Sequence, residues 1–210
     1  MSEDRFDAII VGGGLAGCIA AYVLANADKE VLLIERGDYC GSKNMTGGRL
    51  YGHSLEKIIP GFADEAPIER IVRKEKVSLM TEDGSLDIGY GSAKLSSSPE
   101  KSSYTVLRAK FDKWLAEKAE EAGAEIITGI LVDRLLVEGG KVVGVSATGE
   151  DMYSDVVILA DGVNSLLAQD LGMKKELLPS QVAVGAKEVI ELGEDLINEG
   201  ADNLKKLKDS

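Results

Sequence analysis

A glycine-rich turn near the start of the chain has the residue types and spacing best suited to chemistry. Gly12, Gly14 and Gly17 fit the pattern G-x-G-x-x-G, with Gly13 and Ala16 among the intervening residues. Between a strand and a helix, the first glycine permits a tight turn, the second lets a diphosphate approach the backbone, and the third lets the helix pack on the strand. The free N–H groups and the positive dipole end of the helix attract the anion. The pattern therefore predicts a dinucleotide site.

An acidic residue stands where the ribose-binding part of such a site is expected. Glu35 ends the apolar run VLLIE, about twenty residues beyond the glycines, where a carboxylate accepts hydrogen bonds from ribose hydroxyls. A glycine-rich turn that binds no ligand is the alternative interpretation. Because strand, helix and acid stand in the required order, we favour the dinucleotide site. The pattern alone does not separate NAD from FAD.

Five elements must position these residues. The apolar stretch 6–11 predicts a buried parallel strand, Leu15–Ala27 a helix rich in small residues, and Val31–Glu35 a second buried strand. Strand, helix and strand within about thirty residues form a βαβ unit. An amphipathic helix over Ala109–Ala122 and a third parallel strand over Glu125–Thr128 extend the unit.

The remaining sequence predicts mostly short strands. The turns EGG and TGE separate three strands of an antiparallel meander, and one more parallel strand follows as a separate element. The predicted elements are the meander strands Leu131–Val137, Lys141–Ala147 and Asp151–Tyr153, the parallel strand Asp155–Leu159, a hairpin of Val77–Met80 and Ser85–Ile88, helices over Leu50–Ile59 and Ser165–Leu171, a loop over 91–103, and an amphipathic helical tail from Glu191. The fold class is therefore α/β, a Rossmann-like domain with a parallel sheet and an inserted antiparallel β-meander.

Charge and cysteine content argue against several classes of function. The chain of 210 residues has a formal net charge of −12, which disfavours a nucleic-acid partner because such a partner needs a basic face. Cys18 and Cys40 are too few for a cysteine-bound metal or iron–sulfur site, so any cluster would belong to a partner. The uncharged stretch 8–27 is interrupted by glycines and preceded by acidic residues, which disfavours a membrane span and a signal peptide. We expect a reduced, cytoplasmic protein with no transmembrane segment.

Three stretches resemble the FAD-binding half of a flavoprotein group that includes aromatic hydroxylases and geranylgeranyl reductases. They read VGGGLAG…VLLIERG, VLRAKFDKWLAEKAEEAGAEI and DVVILADGVNS. The resemblance implies that the cofactor is FAD. It also implies that Arg108 reaches the phosphates of FAD, and that the backbone of Val132 touches the adenine. Asp161 and Gly162 are expected near the ribityl chain and the diphosphate.

Several of these residues have an alternative role. Arg108 could be merely a charged residue near a helix start, where a cation is slightly unfavourable. Asp161 could be a turn or helix-capping residue, because Asp-Gly pairs favour turns. We interpret Cys40 as a loop residue rather than a neighbour of the flavin, and Cys18 as a small core residue.

The loop after Glu35 resembles one particular family within this flavoprotein group. Its stretch GSKNMTGGRLYGHSLEKIIPGF, residues 41–62, is similar to that of FixC-type proteins, which are relatives of electron-transfer flavoprotein:quinone oxidoreductase. Members of that family take electrons from an electron-transfer flavoprotein and pass them to a ferredoxin-like subunit or towards quinone. The resemblance implies that the loop from Arg36 onward lines the flavin site, where paired glycines permit close backbone approach. The residues it places along the ribityl chain and ring system include Lys43, Met45, Thr46, Gly47 and Gly48.

The resemblance also implies a domain organisation. We expect an FAD-binding domain over residues 1–180, to which 70–105 contribute the hairpin and a loop. Residues 181–210 would then begin a second domain and end in the amphipathic tail. Proteins of this kind are considerably longer and return to the FAD domain with a last parallel strand. We expect that strand and most of the substrate domain to be absent, either because the chain is truncated or because the remainder is a separate chain.

Three functions stay open on the sequence alone. The first is an FAD-dependent oxidoreductase of electron transfer, in which FAD carries the redox chemistry and no side chain need be an acid or a base. Reduction of isoprenoid double bonds, as in geranylgeranyl reductases, is its nearest alternative. The second is an NAD(P)-binding module, and the third is a nucleotide-binding fold without activity of its own. We expect the first, in the cytoplasm or peripheral to the inner face of the membrane as part of a complex.

Overall fold

The computed structural model describes residues 5–91, 94, 97–185, 191 and 193. The chain divides into two units, Met1–Lys174 and Lys175–Ser210. The described part of the second unit contains a short 3-10 turn at Pro179–Gln181. Apart from residues 191 and 193, the predicted helical tail lies outside the described residues, so both it and the expected domain boundary stay predictions.

The described part of the first unit contains both strands and helices. The strands are β1 (Arg5–Val11), β2 (Val31–Glu35), β3 (Gly47–Tyr51), β4 (Ile68–Ile71), β5 (Lys74–Met80), β6 (Ser85–Gly91), β7 (Ser103–Leu107), β8 (Glu125–Thr128), β9 (Val132–Glu138), β10 (Lys141–Ala147) and β11 (Glu150–Leu159). The helices are α1 (Leu15–Ala25), α2 (Gly52–Ile58), α3 (Phe62–Glu65), α4 (Arg108–Glu121) and α5 (Leu166–Asp170). Within the described residues, no helix is long and apolar enough to cross a membrane.

The main sheet has six strands in the order β8-β2-β1-β11-β10-β9. The first four run parallel, and β10 and β9 continue the sheet in antiparallel pairing. This arrangement confirms the predicted Rossmann-like sheet with an antiparallel meander. It also places the carboxyl ends of β2, β1 and β11 side by side, at the edge where open α/β sheets bind ligands.

Two apolar clusters cover the faces of this sheet. Helices α1 and α4 pack on one face, where Ile10 and Leu33 meet Phe111. The other face carries Ile9 and Leu32 together with residues of β9, β10 and α5. Because successive side chains of a strand point to opposite faces, a strand covered on both sides needs apolar residues in succession. This double burial explains the uninterrupted apolar runs of β1 and β2.

The structure corrects one predicted boundary. The sequence predicts Asp151–Tyr153 and Asp155–Leu159 as separate strands, but both belong to β11, which pairs antiparallel with β10 and parallel with β1. The intervening polar residues suggest a break, yet each has a partner within the sheet. The Ser154 hydroxyl donates to the Val156 carbonyl at 3.0 Å, and Arg5 pairs with Asp155 at 2.6 Å. The last meander strand and the last parallel strand are therefore one element.

A three-stranded sheet in the order β3-β7-β4 is absent from the sequence-based expectations. Strand β3 begins with Gly47 and Gly48, and glycine has little intrinsic strand propensity. Strand β7 begins at Ser103, where the predicted polar loop ends, and supplies the hydrogen-bonding partner of β3. The predicted helix over Leu50–Ile59 consequently starts later, as α2. Pairing between distant segments overrides the local propensity here.

The predicted hairpin is confirmed by β5 and β6, which form a two-stranded antiparallel ribbon. Val77 lies opposite Ile88, and Leu79 lies opposite Leu86, so these four side chains share one face. All four are more than half exposed. The ribbon therefore presents an apolar face that the described residues leave uncovered.

Candidate cofactor site

The turn after β1 has the geometry that its glycines predict. Gly12 has a φ of 108°, in the left-handed region, and a Cβ there would lie 2.4 Å from the Ala160 carbonyl oxygen. A Cβ on Gly17 would lie 1.9 Å from the Gly12 carbonyl oxygen. These two glycines therefore allow the close approach of β1, α1 and the end of β11.

Gly14 differs from its neighbours because its missing side chain leaves open space. A Cβ at this residue would have no heavy atom within 4 Å among the described residues. Gly14 is the N-cap of α1, and the described part of the chain offers no side-chain hydrogen bond to cap this helix. The first N–H groups of an α-helix have no partner within the helix. They form a ready site for an anion at the carboxyl end of β1.

Glu35 joins this turn to the following loop. One carboxylate oxygen accepts a hydrogen bond from the Gly13 N–H at 2.7 Å, and the other accepts one from the Gly37 N–H at 2.6 Å. A carboxylate offers about four acceptor sites, so each oxygen keeps a further site. The carboxylate is thus held at the end of β2 with acceptor capacity for hydroxyl groups.

Arg108 is the first residue of α4 and is fixed by a buried carboxylate. Its Nε and Nη2 donate to Asp112 at 2.7 and 2.9 Å, and the Asn44 side-chain amide donates to Asp112 at 2.6 Å. The Arg108 backbone N–H donates to the Thr46 carbonyl at 2.9 Å. Neither Asp112 nor Asn44 was predicted from the sequence, although an Arg and an Asp four residues apart on a helix are a recognisable pair.

The segment after β11 forms a second wall. Gly162 has a φ of 83°, and its carbonyl accepts a hydrogen bond from the Ser165 hydroxyl at 2.5 Å. The N-cap of α5 is Ser165 rather than Asp161. The helix-capping alternative for Asp161 therefore does not hold, because another residue occupies that position.

Most residues predicted to bind the cofactor meet at one cavity of about 470 Å³. They are Gly12, Gly13, Gly14, Glu35, Arg36, Lys43, Arg108, Val132, Asp161 and Gly162. The cavity lies at the carboxyl ends of β1, β2 and β11, where the topology leads us to expect a ligand. Segments far apart in sequence therefore contribute to a single site.

The other predicted residues lie outside the lining of this cavity. Ala16 is exposed in the first turn of α1, and the Met45 side chain is 89% exposed. Gly47 and Gly48 pair with Leu107 and Val106 in the three-stranded sheet, directly before Arg108. Their predicted contact with a flavin stays a prediction.

Comparison with known proteins shows which family the chain belongs to. Residues 7–163 match the model of the family described as FAD dependent oxidoreductase. The chain belongs to this family. FAD is accordingly its cofactor, and the resemblance stated from the sequence is confirmed.

Individual relatives narrow the kind of oxidoreductase that the chain is similar to. The chain is 59% identical over 199 residues to Protein FixC of Salmonella typhi, and 53% identical over 199 residues to a probable electron transfer flavoprotein-quinone oxidoreductase, YdiS, of Escherichia coli. Both alignments cover 95% of this chain and 46% of the relative, so the chain spans about half the length of these curated relatives. A geranylgeranyl bacteriochlorophyll reductase-like structure from Thermoplasma acidophilum is 27% identical to this chain, with a TM-score of 0.67. The superposition covers 87% of this chain and 44% of the Thermoplasma chain.

The cavity walls fit FAD on three observations. The open space at Gly14 lies at a helix start with free N–H groups, which suits a diphosphate. Arg36, Lys43 and Arg108 add positive charge to the same cavity. Glu35 retains acceptor sites for ribose hydroxyls. The FAD-dependent family assignment and the chemistry of the walls therefore agree.

Replacing Glu35 by Gln is expected to weaken FAD binding about tenfold. The amide nitrogen would replace one acceptor oxygen, so that it would face the N–H of Gly13 or Gly37 and could no longer accept from a ribose hydroxyl. Fluorescence titration with FAD measures the effect. Glu30→Gln, which removes the same charge from an exposed residue just before β2, serves as the control. Equal affinities for wild type and Glu35→Gln would contradict the assigned role.

The two cysteines lie behind the glycine turn. Both are free and buried, and a Cβ on Gly13 would lie 2.4 Å from the Cys40 sulfur. The Cys18 thiol donates to the Gly13 carbonyl at 3.5 Å. Its pKa is raised by a hydrogen bond with Cys40 and by burial, while the same hydrogen bond lowers the pKa of Cys40 against the effect of burial. Both cysteines belong to the core that supports the turn, as the sequence interpretation of Cys18 expects.

Neither thiol is expected to react quickly with a chromogenic disulfide reagent in the native protein. Cys18 stays protonated at pH 8 because its pKa is raised, and the thiolate is the reacting form. Cys40 is 2% exposed, so the reagent cannot reach it. Urea-unfolded protein should react at both sites within the mixing time. Equal rates for native and unfolded protein would show that the turn opens readily.

Proposed function

We propose that this chain is the FAD-binding half of an electron-transfer oxidoreductase of the FixC kind. It would take electrons from an electron-transfer flavoprotein and pass them to quinone or to a ferredoxin-like partner. The observation that carries the proposal is the meeting of the glycine turn, Glu35 and Arg108 at one cavity. The identity of 59% with FixC, and of 53% with a probable electron transfer flavoprotein-quinone oxidoreductase, supports the choice of partners.

The residues of the cavity divide the binding of FAD among them. The N–H groups at the start of α1 hold the diphosphate, with Gly14 leaving room for it, and Arg108 donates to the same group. Glu35 accepts hydrogen bonds from the ribose hydroxyls. The backbone of Val132, at the start of β9, meets the adenine.

The remaining assigned residues approach the ribityl chain and the flavin. Asp161 and Gly162 close on the ribityl chain from the end of β11. Lys43 and the following residues to Gly48 approach the ring system. The hydrogen bond between the Arg108 backbone N–H and the Thr46 carbonyl supports this placement, because it holds that loop beside Arg108, the residue proposed to bind the phosphates.

Bound FAD would supply the redox chemistry, since flavins exchange electrons singly and in pairs. The protein then needs only to bind FAD, to orient it and to limit its contact with water. We further propose that residues 1–180 form the FAD-binding domain. A quinone acceptor, being a membrane lipid, would bring the assembled protein to the inner face of the membrane as a peripheral component.

A second candidate function is the reduction of isoprenoid double bonds. The likeness to the geranylgeranyl bacteriochlorophyll reductase-like structure, at 27% identity, favours it. The two functions share the FAD site and differ in what reoxidises the flavin. Anaerobic assays with an electron-transfer flavoprotein and a soluble quinone, or with an isoprenoid alkene, separate them.

The deciding experiment is purification without added cofactor, followed by a visible spectrum and mass spectrometry of the released ligand. The expected result is a flavin spectrum and released FAD, either directly or after titration with FAD. Reduction of the bound flavin by a reduced electron-transfer flavoprotein would support the electron-transfer role. A protein that takes up NAD(P) but not FAD, or neither, would overturn the proposal.

A further inference from the structure

We propose that Asp112 is a positioning residue of the cofactor site: it holds Arg108 and Asn44 in place so that the free N–H groups of Arg108 face the diphosphate. The inference rests on the proposed function, because the diphosphate belongs to FAD. Asp112 does not line the cavity itself. It acts on the ligand only through the two residues that do.

The first support is the burial and bonding of the carboxylate. The Asp112 side chain is 0% exposed, whereas that of Arg108 is 27% exposed. One Asp112 oxygen accepts from Nε of Arg108, and the other accepts both from Nη2 of Arg108 and from the Asn44 amide. A buried charge of this kind persists when it is paired and hydrogen-bonded. Asp112 therefore joins α4 to the loop after β2.

The second support is that the ion pair with Asp112 leaves several N–H groups of Arg108 free to bind a ligand. A guanidinium group has five N–H donors in a rigid planar fork. The bonds to Asp112 use Nε and one N–H of Nη2, which leaves both N–H groups of Nη1 and one of Nη2. Because the fork is planar, fixing one edge also fixes the direction of the free edge. Arg108 lines the cavity, so this free edge is available to a ligand there.

The third support is that helix stability does not explain the pair. Arg108 is the first residue of α4, where the positive end of the helix dipole opposes a cation. An acidic residue placed before a basic one, rather than the reverse, is the favourable order along a helix. The pair therefore runs against the preference of the helix, which points to a role outside it.

The loop after β2 lies so close to Asp112 that only glycine fits at position 41. Gly41 has a φ of 91°, and a Cβ on it would lie 2.6 Å from the Asp112 Cβ. The loop thus passes directly over Asp112, and a larger residue at position 41 would separate the two. Gly41, Asn44 and Lys43 all line the cavity. Asp112 consequently sets the position of the start of α4 and of the loop after β2 where both line the cavity.

The test compares FAD affinity in Asp112→Asn and in wild type by fluorescence titration. The amide keeps the shape of the carboxylate but places an N–H group against the donors of Arg108 or Asn44. We expect the Kd to rise about tenfold to a hundredfold. Glu117→Gln removes the same charge from an exposed position of α4 and should leave the Kd unchanged. An unchanged Kd in Asp112→Asn would overturn the proposal.

A double-substitution cycle shows whether Asp112 acts through Arg108. Arg108→Lys keeps the positive charge but removes the planar fork, and it should weaken FAD binding about tenfold. In that background, Asp112→Asn should add little further loss. Fully additive effects would mean that Asp112 acts independently of Arg108, and an unchanged Kd in Arg108→Lys would mean that the fork has no role. Either result overturns the proposal, and the second does so even if Asp112→Asn fails to fold.

A measurement without ligand separates this inference from the proposed function. In wild type, the Nε–H of Arg108 should give a slowly exchanging NMR signal, because it is bonded to a buried carboxylate. That signal should be lost in Asp112→Leu, which leaves no acceptor beside Nε, and kept in Glu117→Gln. Its persistence in Asp112→Leu would contradict the positioning role. Failure of wild type to take up FAD would instead contradict the proposed function and leave the NMR result to decide how Arg108 is held.

Discussion

Replacing Gly14 by Val is expected to abolish the retention of FAD by a protein that still folds. The added side chain would occupy the space at the start of α1 where we propose that the diphosphate binds, and it would separate that group from the helix N–H groups. Loss of two hydrogen bonds from helix N–H groups to the charged diphosphate costs about 3 kcal/mol or more of binding free energy, or roughly a hundredfold in Kd. Flavin absorbance per mole of purified protein, followed by FAD titration, measures the effect.

The folded state should tolerate this substitution. The Gly14 φ of −82° suits any residue, and no described heavy atom lies within 4 Å of the added Cβ. The loss of a favourable N-cap residue costs only about 1 kcal/mol of unfolding free energy. Gly89→Val is the matched control, since the nearest atom to its added Cβ is 3.8 Å away on the exposed ribbon of β5 and β6. Wild-type flavin content in Gly14→Val would show that the diphosphate binds elsewhere.

Replacing Gly17 by Ala is expected to have the opposite signature, a loss of stability. The added Cβ would lie 1.9 Å from the Gly12 carbonyl oxygen, so α1 would have to move away from the turn. Forcing atoms into a packed site costs about 1 to 3 kcal/mol, and backbone on both sides of the contact puts this case at the upper end. For a chain of this size, a loss of about 3 kcal/mol lowers the Tm by roughly 6 to 12 °C.

Urea unfolding in the absence of FAD isolates this effect from ligand binding. Gly14→Ala is the control, because it adds the same methyl group to the same motif with no atom in its way. We expect a clearly lower midpoint for Gly17→Ala than for Gly14→Ala, which loses only the N-cap glycine, at about 1 kcal/mol of unfolding free energy. Equal midpoints for the two variants would contradict the separate roles assigned to these glycines.

Local patterns were enough to predict the framework of the site. The apolar runs of β1 and β2 are continuous because both faces of these strands are covered, and such runs can be recognised in the sequence. The spacing of Gly12, Gly14 and Gly17 between those strands places the helix start at the carboxyl edge of the sheet. Glu35 follows at the end of β2, where it does face the glycine turn. These relations act over short distances in the chain.

Elements that depend on distant partners were predicted less well. Strand β3 begins with two glycines and gains its structure from β7, more than fifty residues later in the chain. Strand β11 continues through Ser154 and Asp155 because Arg5 pairs with the Asp155 carboxylate and donates to the Ser154 carbonyl, and because its backbone pairs with β1. A pattern of local polarity predicts a break at such a point. It contains no information about a partner supplied by another segment.

The sequence alone therefore determined the βαβ unit, its glycine turn, the acid at the end of β2 and the dinucleotide class of ligand, because each follows from residue type and short-range spacing. Only the tertiary structure separated Gly14, which leaves room for a ligand, from Gly17, which leaves room for the backbone of Gly12. Only it joined Arg108 and Asn44 through a buried Asp112. The physical reason is that an empty volume and a hydrogen bond between distant segments exist only after the chain has packed.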